Sequence, residues 1–404
     1  MSDGTLQTLD ITMLDDVGTG ANQLIQLDSN AKIPACSAAA LTGVSTVTKS
    51  ASDPVVTTNP SGGVGTVWQN TTSGEMYICT DATAGENVWT NVGGGSGDIQ
   101  VITFPAGVTY GFFAGGNGTI NTIDKYAFAS NTTAADHGDL YLAKVAGTGS
   151  CSETYGYSAG SSTPGPYGNA IDKFAFASNT TGTDVGNLIV GTREPAGNQQ
   201  TTSAVYWSAG LISSGRTTKV NKCLTASDGN STDVGDVTQA AYELVGCCET
   251  DYAYSYGGEG PAGGSSMAQG KTVSKFTFAS AGTAADHGDL VQESRSGYGA
   301  MSETYGYQMG GTDSTNYHDS IQKFAFASNT TGTDVSNLSA AFGGGTAASQ
   351  ADTNAYRAGG FGGAWNSYAN VNSIDKFVFS TGTNSVDHGD LQAAKSNSLG
   401  SLQV

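Results

Sequence analysis

TYGYSAG at 154–160, IDKFAFAS at 171–178 and DVGNL at 184–188 form one unit that the chain writes six times between residue 109 and its C-terminus. Each copy has an aromatic strand ending in small residues, a Phe-rich strand with a fixed lysine, and DxGDL or a close variant. The lysines are Lys125, Lys173, Lys222, Lys275, Lys323 and Lys376, and the motif aspartates Asp136, Asp184, Asp233, Asp286, Asp334 and Asp387. A period of roughly 50 residues signals a repeat architecture of β-strands. Aligned on their glycines, the aromatic strands share one position: Phe112, Tyr157, Trp207, Tyr254, Tyr307 and Tyr356.

Side chains alternate across a strand, so Phe174 and Phe176 fall on one face of IDKFAFAS, and Ile171, Lys173, Ala175 and Ala177 on the other. A small sheet with one bulky and one shallow face can nest against a copy of itself, which favours blades packed around an axis. Each repeat has room for about four short strands, the number in a propeller blade. The array opens partway through a repeat and stops where the next aromatic strand would begin. Its N-terminal part is therefore expected to complete the last blade and leave no sheet edge open. Six blades are predicted.

The chain's 404 residues are 38% hydrophobic and 13% charged, with 58 Gly and 8 Pro. That composition suits many short strands and tight turns, an all-β fold. A net charge of −19 with only 16 Lys and Arg argues against nucleic acid as a partner. No stretch reaches the roughly 20 apolar residues of a membrane span, and MSDGTLQTLDITML lacks an export pattern, so neither membrane insertion nor secretion is expected. Cysteines 36, 79, 151, 223, 247 and 248 keep no common place in the repeat. Free thiols made in a reducing cytoplasm are expected, with no metal site.

The order of a Gly-Gly-ending strand, a variable loop, a strand ending in a turn and a short last strand resembles the kelch-type propeller over residues about 100–404. The kelch Trp after the second strand is missing, replaced by the DxGDL segment. ANQLIQLDSNAKIPA at 21–35 resembles segments that recur in tailed-bacteriophage fibre proteins, and GTVWQNTTSGEMYICTDATAGENVWTNVG at 65–93 is similar to another small module of such proteins. These resemblances imply three parts: a virion-attachment segment over 1–45, a small β module with a Gly-rich linker over 46–97, and a six-bladed β-propeller over 98–404. They place Leu24, Ile25, Leu27, Ile33 and Pro34 as virion-docking candidates. The module's strands VWQN and EMYICT flank a Thr-Thr-Ser-Gly turn, with Val88 and Trp89 on a third strand. So small a sheet needs neighbours for a core, and a homo-oligomer, by analogy a trimer, is expected.

Three of the four histidines, His137, His287 and His388, lie in DHGDL, where other repeats carry Val185, Val234 and Val335; a semi-buried strand-turn site explains that exchange better than a metal ring. The paired acids are turn caps first, since Asn187 and Asn337 replace the second acid in two repeats. The arginines Arg193, Arg216, Arg295 and Arg357 stand at unequal repeat positions, which argues against a sialidase-type cluster, and no copper-radical set stands out. A carboxylate pair at a propeller centre stays open. The fixed lysine is expected to lay its stem on the shallow face and reach an acid, the repeat aspartates first. The NTT triplets at 70, 131, 179 and 329 are expected to be turns. Recognition is expected where the repeats differ, in loops such as STPGPYGNA (162–170), TDSTNYHDS (312–320) and FGGAWNSYANVNS (361–373), with Tyr167, Tyr317, His318, Trp365 and Tyr368 as receptor-contact candidates. The chain is thus expected to be a non-enzymatic phage appendage such as a tail fibre, without cofactor. It would join other virion proteins and bind a host-surface glycan or protein. The alternatives are an architectural decoration or head fibre, and a polysaccharide-degrading enzyme.

Overall fold

The structure is a computed structural model that describes residues 47–92, 109–118, 120–163, 165–201, 203–260, 270–280, 282–313, 315–345, 348–397 and 399–404. The chain divides into two units, Met1–Ile102 and Thr103–Val404. Every regular element among the described residues is a β-strand. The docking candidates Leu24, Ile25, Leu27, Ile33 and Pro34, together with Cys36 and the glycine-rich 93–97 stretch, lie outside the described residues.

In the second unit each repeat forms one antiparallel sheet whose third strand carries the fixed lysine. The second sheet runs Thr148–Cys151, Tyr155–Ser161, Gly168–Ala175, Thr183–Asn187. The third runs Ala196–Thr201, Ala204–Ser208, Lys219–Leu224, Thr232–Asp236, and the fourth Val245–Cys248, Tyr252–Tyr256, Thr272–Thr277, Ala285–Asp289. The fifth runs Tyr298–Met301, Tyr305–Met309, His318–Ala325, Thr333–Gly343, and the sixth Ser349–Ala351, Asn354–Ala358, Ser373–Val378, Val386–Asp390. The first sheet is composite. Tyr110–Ala114, Thr122–Ala127 and Ala135–Asp139 receive their missing neighbour from the other end of the chain, Leu399–Gln403, with Leu402 opposite Phe112. The offset read from the sequence is thus met by a strand swap that covers the edge of Tyr110–Ala114.

Successive sheets meet along their first strands, with Tyr254 of the fourth sheet's second strand also taking part. Ser150 Oγ donates to the Asn198 carbonyl (3.2 Å), Asn198 Nδ2 to Tyr254 O (2.7 Å), Cys248 N to Met301 Sδ (3.1 Å), Ala348 N to Gly299 O (2.9 Å) and Ser349 Oγ to Leu402 O (3.0 Å). The last link returns to the first sheet, where Gly149 of the second sheet packs on Gly400. Backbones touch along this path. A Cβ on Gly299 would stand 2.7 Å from Gly246 O, and on Gly149, Gly197 or Gly246 it would overlap the carbonyl of Gly400, Gly149 or Gly197. Only glycine permits that approach.

The core between sheets is an aromatic relay. Phe112 stacks on Phe176 of the next sheet at 4.7 Å, Tyr254 on Phe326 at 4.7 Å, Tyr307 on Phe379 at 4.8 Å and Tyr356 on Phe128 at 4.6 Å. Tyr206 meets Phe278 at 4.7 Å. Each such pair adds about 0.5–1.5 kcal/mol beyond its burial. This relay corrects the glycine-based alignment: Tyr206, not Trp207, faces the fixed lysine of its repeat, in register with Lys222. The third repeat is one residue out of step because Ala209, at φ 58°, takes the left-handed place that others give to glycine. Five cysteines, Cys79, Cys151, Cys223, Cys247 and Cys248, are buried.

In the first unit, Val47–Ser50 pairs in parallel with Val67–Asn70, followed by Met76–Asp81 and Val88–Asn91. The parallel strand adds to the three read from the sequence. Tyr77, Cys79 and Trp89 are fully buried, and Trp68 meets Trp89 edge-on at 5.8 Å. The triplet at 70 is a turn, in which Asn70 Oδ1 accepts the Thr72 and Ser73 N–H groups at 2.8 and 3.2 Å.

Candidate functional site

The repeated polar residues fasten one sheet to the next. The residue before each fixed lysine is polar and buried: Asp124, Asp172, Asn221, Ser274, Gln322 and Asp375. It accepts a backbone N–H from the preceding sheet, from Leu142 to Asp172 (3.1 Å), Ile189 to Asn221 (3.1 Å), Thr238 to Ser274 (3.3 Å), Gln292 to Gln322 (2.7 Å) and Ser339 to Asp375 (3.1 Å). Gln392 does the same for Asp124. Two of these acids also hold buried lysines, Lys144 on Asp172 at 3.2 Å and Lys395 on Asp124 at 2.9 Å. Burial raises both carboxyl pKa values and the lysine partner opposes it. The sequence signal was available, a polar residue before the lysine in every repeat.

Each DHG histidine bonds across a junction. His137 Nε2 meets Ala175 O at 3.0 Å, His287 Nε2 meets Ala325 O at 2.9 Å, and His388 Nε2 meets Ala127 O at 2.9 Å. Beside each, an NTT asparagine donates to the motif aspartate's carbonyl: Asn179 to Asp136 (3.3 Å), Asn329 to Asp286 (3.0 Å) and Asn131 to Asp387 (3.4 Å). The motif aspartates cap their own turns, as Asp136 Oδ1 accepts Gly138 N–H at 3.1 Å and Asp286 Oδ1 accepts Gly288 N–H at 2.9 Å. No group of three His, Cys, Asp or Glu among the described residues is placed to hold a metal ion.

The fixed lysines meet the expectation in part. Lys125, Lys173, Lys275 and Lys323 lie over Tyr110, Tyr155, Tyr252 and Tyr305 at 3.9, 4.3, 3.9 and 4.1 Å from the ring centroids, and two of them also reach an acid, Lys173 to Asp228 at 3.0 Å and Lys275 to Glu249 at 3.3 Å, neither of which is a motif aspartate. The cross-strand neighbour, an aromatic with a negative face, competes for the cation at no cost in reach. It is Lys219 that holds Asp233 and Asp236, at 2.9 and 3.3 Å.

Two clusters break the repeat. The first gathers three of the contact candidates. The fifth sheet's last strand, Thr333–Gly343, runs on and pairs with a hairpin, Phe361–Ala364 and Ser367–Asn370, through Phe342–Gly362 and Gly343–Phe361. Tyr317 meets Trp365 at 5.2 Å, Tyr368 at 6.2 Å and Phe361 at 6.5 Å, while Phe361 meets Tyr368 at 4.7 Å. Tyr368 is 54% exposed, and Tyr317, Phe361 and Trp365 are half-buried. The run Gly343–Gly345 makes room: a Cβ on Gly343 would press to 2.5 Å of the Tyr317 ring, and one on Gly344 would overlap Phe361. Phe361 was missed because it opens a loop of small residues, although the glycine run signals a close approach. His318 turns inward, with 11% of its side chain exposed, and contacts Gln292 Nε2 at 3.0 Å. Tyr167, half-buried in the second sheet's loop, stands outside the cluster.

The second cluster lies where left-handed residues join six loops. Glu194 N–H donates to Ala146 O (2.7 Å), Glu243 N–H to Glu194 O (3.1 Å), Ser296 N–H to Glu243 O (3.0 Å) and Gly345 N–H to Ser296 O (3.1 Å). Asn397 N–H to Gly344 O (2.8 Å) and Ala146 N–H to Asn397 O (3.2 Å) complete the circuit. Three of the arginines converge here: Arg193 and Arg295 hold the same place after their fixed lysines, Lys173 and Lys275, and Arg216 comes from a different place in its repeat. Arg193 pairs with Glu194 at 3.5 Å, Arg216 with the buried Glu259 at 2.9 Å, and Arg295 with Glu243 at 3.2 Å and with Glu259. Burial and the neighbouring Glu243 push the Glu194 carboxyl up to about 8, while Arg193 and Arg295 pull it back down. Arg357 is elsewhere, fully buried on Asp375 at 2.8 Å. No family model matches the chain, and no curated protein aligns with it significantly.

Proposed function

We propose that the protein is a structural appendage of a tailed-bacteriophage virion, whose C-terminal unit is a six-bladed, kelch-like propeller that binds a host-surface glycan. The circuit of first-strand contacts and the composite first sheet support the propeller. The observation that carries binding is the aromatic hairpin, where Tyr317, Phe361, Trp365 and Tyr368 share one cluster at the point where the fifth sheet outgrows its siblings. Aromatic faces stack on the apolar faces of sugar rings, and many copies on one particle would offset weak single sites. The N-terminal segment, by its resemblance to fibre proteins, would dock to other virion proteins, and a homo-oligomer would complete the small module.

The test is a glycan microarray probed with the full chain. Selective binding that Trp365→Ala with Tyr368→Ala removes, at an unchanged melting temperature, is the expected result; binding that survives the double change would overturn the assignment. A second reading, saccharide cleavage, draws on the two acids Glu194 and Glu243 meeting in one circuit of loops, where Glu243 N–H donates to Glu194 O at 3.1 Å, since glycoside cleavage uses a pair of carboxyl groups. Release of reducing ends from a bound glycan, lost in Glu194→Gln, would establish it. Retention of the glycan intact would exclude it.

A further inference from the structure

The junction between the second and third sheets carries its own anion. Lys173, lying over Tyr155, holds both carboxylate oxygens of Asp228 at 3.0 and 3.1 Å. Asp228 sits in the turn of the third sheet at φ 52°. Between the fifth and sixth sheets the same parts recur with one omission. Lys323 lies over Tyr305 in the same pose, and the place of Asp228, counted from the fixed lysine of its own repeat, belongs to Gly382 at φ 58°. No carboxylate pairs with Lys323 among the described residues. Where the Asp228 side chain would stand there is a cleft of about 340 Å³, lined by Tyr307, Lys323, Phe377, Ser380, Thr381 and Gly382. A second hollow of about 280 Å³ shares Tyr307, Lys323 and Ser380 and adds Glu303, Asp352 and Thr353. A Cβ on Gly382 would meet nothing nearer than Val335 O, at 3.7 Å, so the space is open to an added group.

We infer that the cleft between the fifth and sixth sheets binds the carboxylate of an acidic sugar residue, with Lys323 as its counter-ion and Asp228 at the sister junction as the internal image of the bound group. The ammonium matches a carboxylate. The volume is at the lower end for small-molecule sites, about 300–1,000 Å³. Aromatic edges with Ser380, Thr381 and Thr353 hydroxyls and the Glu303 and Asp352 acids offer stacking and hydrogen bonds to sugar hydroxyls. The site is at the lysine end of the strand His318–Ala325, away from the Tyr317 end that carries the aromatic hairpin. It therefore does not depend on glycan binding there.

The probe is D-glucuronic acid, titrated into the full chain by calorimetry or saturation-transfer NMR, with D-glucose and acetate as controls. Glucuronate should bind at millimolar strength or better, at least tenfold tighter than glucose and acetate. Lys323→Gln should weaken it tenfold or more. Gly382→Asp should also abolish it by supplying the carboxylate internally, and without loss of melting temperature, since Asp228 tolerates the same backbone conformation. Trp365→Ala should leave it unchanged, which separates this site from the aromatic cluster. Equal binding of glucose would overturn the carboxylate assignment, and equal binding of acetate the sugar. Undiminished glucuronate binding by Gly382→Asp would overturn the location, and no binding at all would overturn the site.

Discussion

The three junctions latched by histidine and the three that carry valine are built on one plan and differ in what they allow. At the first–second, fourth–fifth and sixth–first junctions, a DHG histidine bonds forward to the next sheet and an NTT asparagine of that sheet bonds back, and the pattern is uniform. At the junctions of Val185, Val234 and Val335 the NTT is absent, and there the molecule varies. The Lys173–Asp228 pair belongs to the first of these, a parallel Gly282–Thr283 strand to the second, and the aromatic hairpin and the open cleft to the third. Where the histidine and asparagine latches are present the turns are uniform; where valine replaces the histidine, the bonds to the residue before the fixed lysine remain, as from Ile189 to Asn221 and Ser339 to Asp375, and the adjoining turn takes on other groups.

The largest effect should come from breaking the feature all junctions share, closure. Removing residues 399–404 takes away the neighbour of Tyr110–Ala114 and the buried Leu402, a side chain whose loss alone costs about 2–5 kcal/mol. The expected outcome is loss of a cooperative thermal transition by circular dichroism, and an unchanged melting curve would refute the strand swap. Next in size, Lys144→Met leaves Asp172 buried without its partner at the first–second junction. It should cost about 3–5 kcal/mol in urea unfolding, against little for the exposed Lys219→Met.

A smaller change sharpens the comparison itself. His287→Val turns a latched junction into the other kind, and it should cost about 1 kcal/mol for the lost bond to Ala325 while keeping the fold. The latches also carry a pH signature. Burial holds the His137 and His388 imidazoles below the ordinary 6.5, so the unfolded chain binds more protons in the window beneath that value. Their stabilisation is present above pH 6.5 and is lost as pH falls through the lowered folded values. The melting-temperature gap between wild type and His137→Val with His388→Val should therefore narrow from pH 7.5 to 5, and a gap that widens would contradict neutral latches.

Much of this plan was legible in the sequence, because strand period and repeat spacing are local properties. The all-β class, the four strands of each repeat and the displaced last strand follow from them. Three members of the aromatic cluster, Tyr317, Trp365 and Tyr368, were legible as departures from the repeat. What could not be read was the pairing across junctions. His137 and Asn179 stand in different repeats, and only the sheets bring them to one motif. The same holds for Arg216 and Arg295, whose repeat positions differ while Glu259 gathers both. The one-residue slip at Tyr206 was hidden because Ala209 mimics a glycine only in its backbone angle.

The central claim is that the recurring junction residues hold the sheets together while the residues that break the repeat carry the proposed binding. Its most direct test compares His287→Val with the double change Trp365→Ala and Tyr368→Ala in the full chain, reading melting temperature and glycan-array binding on the same samples. The account predicts a lowered melting temperature with intact binding for the first, and intact melting temperature with lost binding for the second. The opposite assignment, or loss of both properties in both proteins, would contradict it.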